Sequence, residues 1–222
     1  MTGLHQELLT ERLVAIIRNI PSALLPPTCE ALLSGGIRFV EVTLHPGDPA
    51  ATHDALHGIE ELRRRFDMQL HIGAGTVLTP EAVDAAAAAG AEFILAPNTT
   101  PAVIRRAKEC GLLTMPGAFT PTEIEHAWTA GADIVKVFPA DLLGAPYFKA
   151  LQGPLPHIPL SAVGGISTDN IAAFLDGGAV VCGIGGNLVN ASRAIHGAWD
   201  EIRETAAAYC RIVSPWRSTD TI

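Results

Sequence analysis

The sequence predicts an α/β protein of the (β/α)8 TIM-barrel class, and three observations carry that expectation. Short apolar runs recur eight times, with room for one helix between each pair, which is the rhythm of a parallel sheet built from βαβ units. Glycine stops recur where a helix would end and the next strand begin. The 222 residues are 48% hydrophobic, and their prolines and glycines are spread along the chain instead of gathered into a linker. One barrel domain over residues 1–222 accounts for that length. An open doubly wound sheet is the alternative, but it uses fewer strands, and no Rossmann glycine fingerprint opens this chain.

Taken in order, the runs cover residues 13–17, 39–43, 70–72, 93–96, 112–115, 134–138, 160–163 and 180–184. Near-continuous hydrophobicity suits strands with helices on one face and core on the other. The joints LLSGGIRFV, AAAGAEFIL, KECGLLTM, WTAGADIV and LDGGAVVC each place glycine at a helix stop, where the left-handed conformation costs it nothing. Helix starts are marked by Thr79-Pro80-Glu81, Thr100-Pro101, Thr120-Pro121-Thr122-Glu123 and Ser167-Thr168-Asp169, a capping residue or a proline in the first turn. Arg63, Arg64 and Arg65 fall at a helix end, and the alanines of 85–89 make a small-residue helix that packs close to the barrel. Residues 214–222 read as a loose tail in which Trp216 alone offers something to dock.

Charge and composition exclude several classes. The net charge is −8 and the pI about 5.4, the wrong field for a nucleic-acid groove. No apolar run approaches the ~20 residues of a membrane span, and the opening MTGLHQELLTERL lacks the pattern of a signal peptide. Four cysteines, Cys29, Cys110, Cys182 and Cys210, stand far apart with no CxxC, as in a cytoplasmic protein with reduced thiols. His53 and His57 share a helix face, but no third ligand lies in register, so no metal site is expected.

Barrel chemistry gathers at the carboxyl ends of strands. Read in order, those ends are Arg18, Glu41 with Thr43 and His45, Gly73-Ala74-Gly75-Thr76, Pro97-Asn98, Pro116-Gly117, Lys136 with Phe138, Gly164-Gly165, and Gly185-Gly186-Asn187. Lys136 lies in DIVKVFP, a run that otherwise reads as a buried strand. Alternation puts Val135 and Val137 on one face and Ile134, Lys136 and Phe138 on the other; Val40 and Val42 likewise oppose Phe39, Glu41 and Thr43. With the valines under the helices, Lys136 and Glu41 look into the barrel. One reading is an interior ion pair serving stability, although buried ion pairs stabilise poorly compared with apolar packing. The other is chemical: desolvation lowers the lysine pKa and frees a neutral amine to attack a carbonyl, with Glu41 moving protons. The glycine pairs GGISTDN and GIGGNLVN end the seventh and eighth runs, where barrels often hold phosphate on backbone N–H groups.

With these residues in place, the sequence resembles the 2-keto-3-deoxy-6-phosphogluconate and 6-phosphogalactonate aldolases. The likeness runs from LVAIIR through GGIRFVEVTL, IGAGTVLTPE, FILAPN and VKVFPA to AVGGIS and GIGGNLV. It implies a class I aldolase without a cofactor, cleaving a phosphorylated 2-keto-3-deoxy sugar acid to pyruvate and glyceraldehyde 3-phosphate. Lys136 would form the imine and Glu41 would handle protons through a water. Arg18 and Thr76 would hold the carboxylate, Phe138 would pack over the pyruvyl group, and Pro97 would line the pocket. Phosphate would rest on the amides around Gly164, Gly165, Gly185 and Gly186, beside Asn187. The resemblance also implies a homotrimer. His45 stands where the gluconate type has arginine, Val163 replaces its threonine, and Asn187 replaces its serine, which leaves the sugar open. An aldolase for unphosphorylated substrates such as 4-hydroxy-2-oxoglutarate, and a non-catalytic barrel that binds a phosphorylated metabolite, are the rival readings.

Overall fold

The apolar runs become the strands of one parallel sheet in the computed structural model, which describes residues 3–217. The strands are β1 (Leu13–Ile17), β2 (Phe39–Thr43), β3 (His71–Gly75), β4 (Phe93–Leu95), β5 (Leu113–Met115), β6 (Gly117–Ala118), β7 (Val135–Val137), β8 (Leu160–Val163) and β9 (Ala179–Ile184). Their order is β5-β4-β3-β2-β1-β9-β8-β7-β6, and every pairing is parallel.

Nine segments stand where eight runs are expected because the fifth is broken at Pro116. Its first half pairs with β4 and its second with β7. Proline has no N–H to donate, but its carbonyl still accepts from the Lys136 N–H at 2.9 Å. Both ends of the strand order thus lie on one continuous stretch of chain, and the sheet curls into a nearly closed barrel. The third strand also runs further than its apolar residues suggest. Gly73 and Gly75 belong to β3, not to a turn after it, because neighbouring side chains fill their Cβ space. A Cβ on Gly73 would meet the Phe93 ring at 2.3 Å.

Eleven α-helices stand among the described residues. They are α1 (Gly3–Glu11), α2 (Leu25–Ser34), α3 (Pro49–Phe66), α4 (Pro80–Ala88), α5 (Pro101–Glu109), α6 (Pro121–Thr129), α7 (Ala140–Leu143), α8 (Ala145–Leu151), α9 (Ile171–Asp176), α10 (Ala191–Ile195) and α11 (Trp199–Arg217). Three of the four marked starts head a helix, whereas after Ser167-Thr168-Asp169 a turn intervenes and α9 begins only at Ile171. Thr79 caps α4, and Thr120 forms a full capping box with Glu123 on α6, whereas Thr100 heads α5 without a side-chain bond. None of these helices is long and apolar enough to cross a membrane.

Alternation sorts the core into two layers. Val40, Val42, Val135 and Val137 pack under the helices, while Val14, Phe39, Phe93, Leu95, Leu113, Met115, Ile134 and Val181 fill the barrel interior. Helix α1 closes the floor: Leu8 is buried in the interior cluster, with Leu4 and Leu9 beside it. His71 ties that helix down, with Nε2 at 3.1 Å from Glu7 and Nδ1 at 3.2 Å from Glu92.

The expected loose tail is corrected at its start. Residues 214–217 continue α11, held because the Trp216 carbonyl accepts from Arg12 at 2.7 Å and Arg217 pairs with Glu11 at 2.8 Å. Residues 218–222 lie outside the described part of the chain.

Candidate active site

At the carboxyl ends of the strands a cleft of about 340 Å³ opens, walled by Ile16, Arg18, Glu41, Thr76, Lys136, Phe138, Val163, Ile166 and the glycine loops at 164–165 and 185–186 with Asn187. Two of its walls are ionisable groups carried on strands and almost wholly buried: Glu41 is 2% exposed and Lys136 6%.

Each is placed by local structure. Glu41 is the central residue of β2, and its Oε1 accepts a 2.7 Å hydrogen bond from the Thr43 hydroxyl two residues on, on the same strand face. Gly75, paired with Thr43 in the β2–β3 register, leaves the space the Glu41 carboxylate needs: a Cβ there would lie 1.5 Å from Oε1. Lys136 sits centrally in β7, and its Nζ stands over the Phe138 ring, 4.7 Å from the centroid. Among the described residues no ion pair joins Lys136 to Glu41, so the stabilising ion-pair reading lacks its contact.

Burial dominates the electrostatics of both groups. It pushes the Lys136 ammonium below the ordinary lysine value, helped by Arg18 and opposed by Glu41. It pushes the Glu41 carboxyl above the ordinary glutamate value, against the pull of Lys136, Thr43 and Arg18. Both shifts run against the charged form of the group, because low-dielectric surroundings penalise each charge.

The other end of the cleft is built from backbone. Gly164 and Gly165 take φ of 99° and 68°, a region that strains any residue with a Cβ. A Cβ on Gly185 or Gly186 would meet nothing within 4 Å, so these glycines border open space. Among the described residues the N–H groups of Gly165, Gly186 and Asn187 have no hydrogen-bond acceptor. The Asn187 side chain spans the two loops, donating to the Ile166 carbonyl at 2.8 Å.

Two residues of the sequence reading stay outside these walls. The His45 carbonyl accepts from the Asp48 N–H and the Thr52 hydroxyl in the turn leading to α3. Pro97 backs onto the next strand, so close that a Cβ on Gly117 would lie 2.3 Å from its carbonyl. Ile16 and Ile166 line the cleft unannounced; Ile16 looks like any residue of its apolar run, and Ile166 follows the Gly164-Gly165 pair with no polar group to mark it. His53 and His57 are exposed on α3, and among the described residues no three or more His, Cys, Asp or Glu are grouped to hold a metal ion.

Breaking a carbon–carbon bond beside a carbonyl asks for an amine to take up the carbonyl carbon and a group to move protons. The cleft offers both, and the protein is an aldolase, a carbon–carbon lyase. Residues 4–205 match the KDPG and KHG aldolase family, and the chain belongs to it. The 2-dehydro-3-deoxy-6-phosphogalactonate aldolase of Escherichia coli K12 is 34% identical over 200 residues, covering 90% of this chain and 93% of that relative. The 2-dehydro-3-deoxy-phosphogluconate aldolase of Pseudomonas aeruginosa is 33% identical, covering 86% and 84%. A solved structure described as native KDPGal matches with a TM-score of 0.83 at 33% identity, over 93% of this chain and 96% of the other. The KDPG aldolase of Legionella pneumophila, with pyruvate captured as a covalent carbinolamine, matches at 0.82 and 28% identity, over 93% and 98%.

Proposed function

We propose that this aldolase cleaves a 2-keto-3-deoxy-6-phospho sugar acid to pyruvate and glyceraldehyde 3-phosphate through an imine on Lys136. The observation that carries the reading is the buried amine and buried carboxyl at one end of a cleft whose other end is open backbone N–H. Lys136 Nζ attacks the C2 carbonyl, and the carbinolamine oxygen leaves as water once Glu41 supplies a proton. The iminium left behind is a fixed positive charge, which draws Glu41 into its carboxylate form. Glu41 then takes the C4 hydroxyl proton through a water. The C3–C4 bond breaks, its electron pair enters the iminium as an enamine, and C4 becomes the aldehyde carbon. Protonation of the enamine and hydrolysis release pyruvate. In this reading Arg18 and Thr76 hold the substrate carboxylate, and the N–H groups at 164–165 and 185–187 hold the phosphate. The relatives named for phosphogalactonate and phosphogluconate support the substrate class. A cytoplasmic homotrimer belongs to the same reading, and light scattering in solution checks the assembly.

The test is borohydride reduction with pyruvate, followed by peptide mapping, as set out in the Discussion. Two further outcomes check the rest of the site. Charge-assisted hydrogen bonds contribute roughly 1.5–3 kcal/mol apiece, so removing the 6-phosphate is expected to lower kcat/KM by at least about tenfold. Equal values on phosphorylated and free substrates would remove the phosphate site. The galacto epimer at C4 is expected to be used at least as well as the gluco epimer, because Val163 offers no hydroxyl to a C4 oxygen; assays of both epimers, repeated with Val163→Thr, check this. Gly75→Ala is expected to fold and yet lose activity on the order of 10²-fold, since displacing Glu41 by about an ångström is enough to spoil its geometry. Activity within a few-fold of the unsubstituted enzyme would show that Glu41 need not sit where it does.

A further inference from the structure

We propose that Phe138 is an electrostatic positioning residue for Lys136, its ring face holding first the ammonium and then the iminium, and not only an apolar cover for the pyruvyl group. The inference rests on the reading of Lys136 as the imine-forming residue.

Lys136 is the central residue of β7, and Phe138 follows directly on the strand's last residue, Val137. Nζ lies 4.7 Å from the ring centroid, inside the roughly 6 Å over which a ring quadrupole attracts a cation. Other partners are few. The charged groups that face Lys136 are Glu41 from β2 and Arg18 from the end of β1. Neither forms an ion pair with it among the described residues, and Glu41 Oε1 accepts from the Thr43 hydroxyl. Ser161, paired with Lys136 in the β7–β8 register, is fully buried, and its hydroxyl makes no hydrogen bond. Among the described residues the aromatic face is therefore the contact that favours positive charge on this nitrogen without itself carrying charge.

Such a contact acts twice. Before substrate binds it opposes the desolvation of the ammonium and fixes the direction of Nζ. After dehydration the nitrogen again carries positive charge, and the same ring stabilises the iminium that takes up the electrons of the C3–C4 bond. Removing the quadrupole while keeping apolar bulk should thus have opposite effects on two measurements. The amine becomes easier to deprotonate, and the cleavage step becomes slower.

The experiment compares the full-length enzyme with Phe138→Leu and Phe138→Tyr. The pH dependence of Lys136 modification by trinitrobenzenesulfonate is followed by peptide mass, which needs no aldolase activity. Single-turnover cleavage of the phosphorylated sugar acid is measured beside it. In the Leu variant the Lys136 titration is expected to move down by roughly one pH unit while single-turnover cleavage falls about tenfold; Tyr, which keeps the ring, is expected to restore both. A Leu variant whose Lys136 titrates where the unsubstituted enzyme does would overturn the proposal, even with cleavage slowed, because packing alone slows cleavage without moving the titration. If Leu fails to fold, a Tyr variant in which the titration moves by a unit overturns it as well. Failure of pyruvate to label Lys136 sinks the imine reading separately, since the titration is read without pyruvate.

Discussion

Replacing Lys136 by Arg is expected to leave a folded barrel in which pyruvate and borohydride no longer add mass to the 136 peptide and cleavage falls by more than about 10⁴-fold. A guanidinium stays protonated in proteins and has no lone pair to offer a carbonyl carbon. The chain holds three lysines, which makes the labelling decisive. Lys108 pairs with Asp133 at 2.6 Å near the surface, and Lys149 is exposed on α8. Neither lines the cleft, so in the unsubstituted enzyme only the 136 peptide should gain mass. Active enzyme labelled at another lysine, or at none, excludes the imine mechanism. Lys136→Met separates chemistry from folding, because it removes the amine and fills the site with an apolar chain of similar length. Burying the ammonium costs stability that the thioether does not, so the Met variant should melt at or above the temperature of the unsubstituted enzyme. The sign with pH follows from the lowered lysine pKa. The unfolded chain binds the Lys136 proton more readily than the native one, so native stability rises with pH through the window between the folded pKa and 10.5. The advantage of Met should be greatest at and below the folded pKa and shrink toward 10.5. Denaturant midpoints across that range measure it.

Much of this was legible because strand alternation is a strict rule. Lys136 among Ile134, Val135, Val137 and Phe138 can face only two ways, and the paired valines settle which. Glu41 followed by the same argument, and the layers match it. What escaped the sequence depended on partners far along the chain. Gly73 and Gly75 look like a turn until Phe93 and Glu41 are seen to occupy their Cβ space. Pro116 looks like the end of a strand, yet the chain continues at once as β6, because only its N–H is lost to the ladder. The end of α11 looked loose because Trp216 and Arg217 find their partners at Arg12 and Glu11, some two hundred residues earlier in the chain. His45 and Pro97 follow strand ends in sequence, but alternation stops constraining a residue once the strand has ended. Neither is among the residues that wall the cleft.

Glu41→Gln is expected to lower cleavage on the order of 10²–10⁴-fold while leaving part of the pyruvate labelling at Lys136. Gln keeps the shape and can still accept the Thr43 hydrogen bond, so the barrel and the cleft should survive. It can neither release a proton to the departing carbinolamine oxygen nor accept one from the C4 hydroxyl. Water can substitute slowly in the first task, because hydroxide loss from a carbinolamine is driven by the nitrogen lone pair. The second task has no substitute among the groups that wall the cleft. Besides Lys136 they are Arg18, Thr76, Asn187, apolar side chains and glycine backbone, and none is a carboxylate or an imidazole. The discriminating measurement is therefore exchange of the pyruvate methyl protons into deuterated water. This needs imine formation and then removal of a C3 proton, but no phosphate and no second substrate. It should fall as far as cleavage does, and the pH profile of whatever activity remains should lose the limb that belongs to the carboxyl. That limb is expected above the ordinary glutamate range in the unsubstituted enzyme, since burial raises Glu41 more than Lys136, Thr43 and Arg18 lower it. Exchange at the unsubstituted rate in the Gln variant would take the proton-transfer role from Glu41 and leave it as a buried partner that only tunes the lysine.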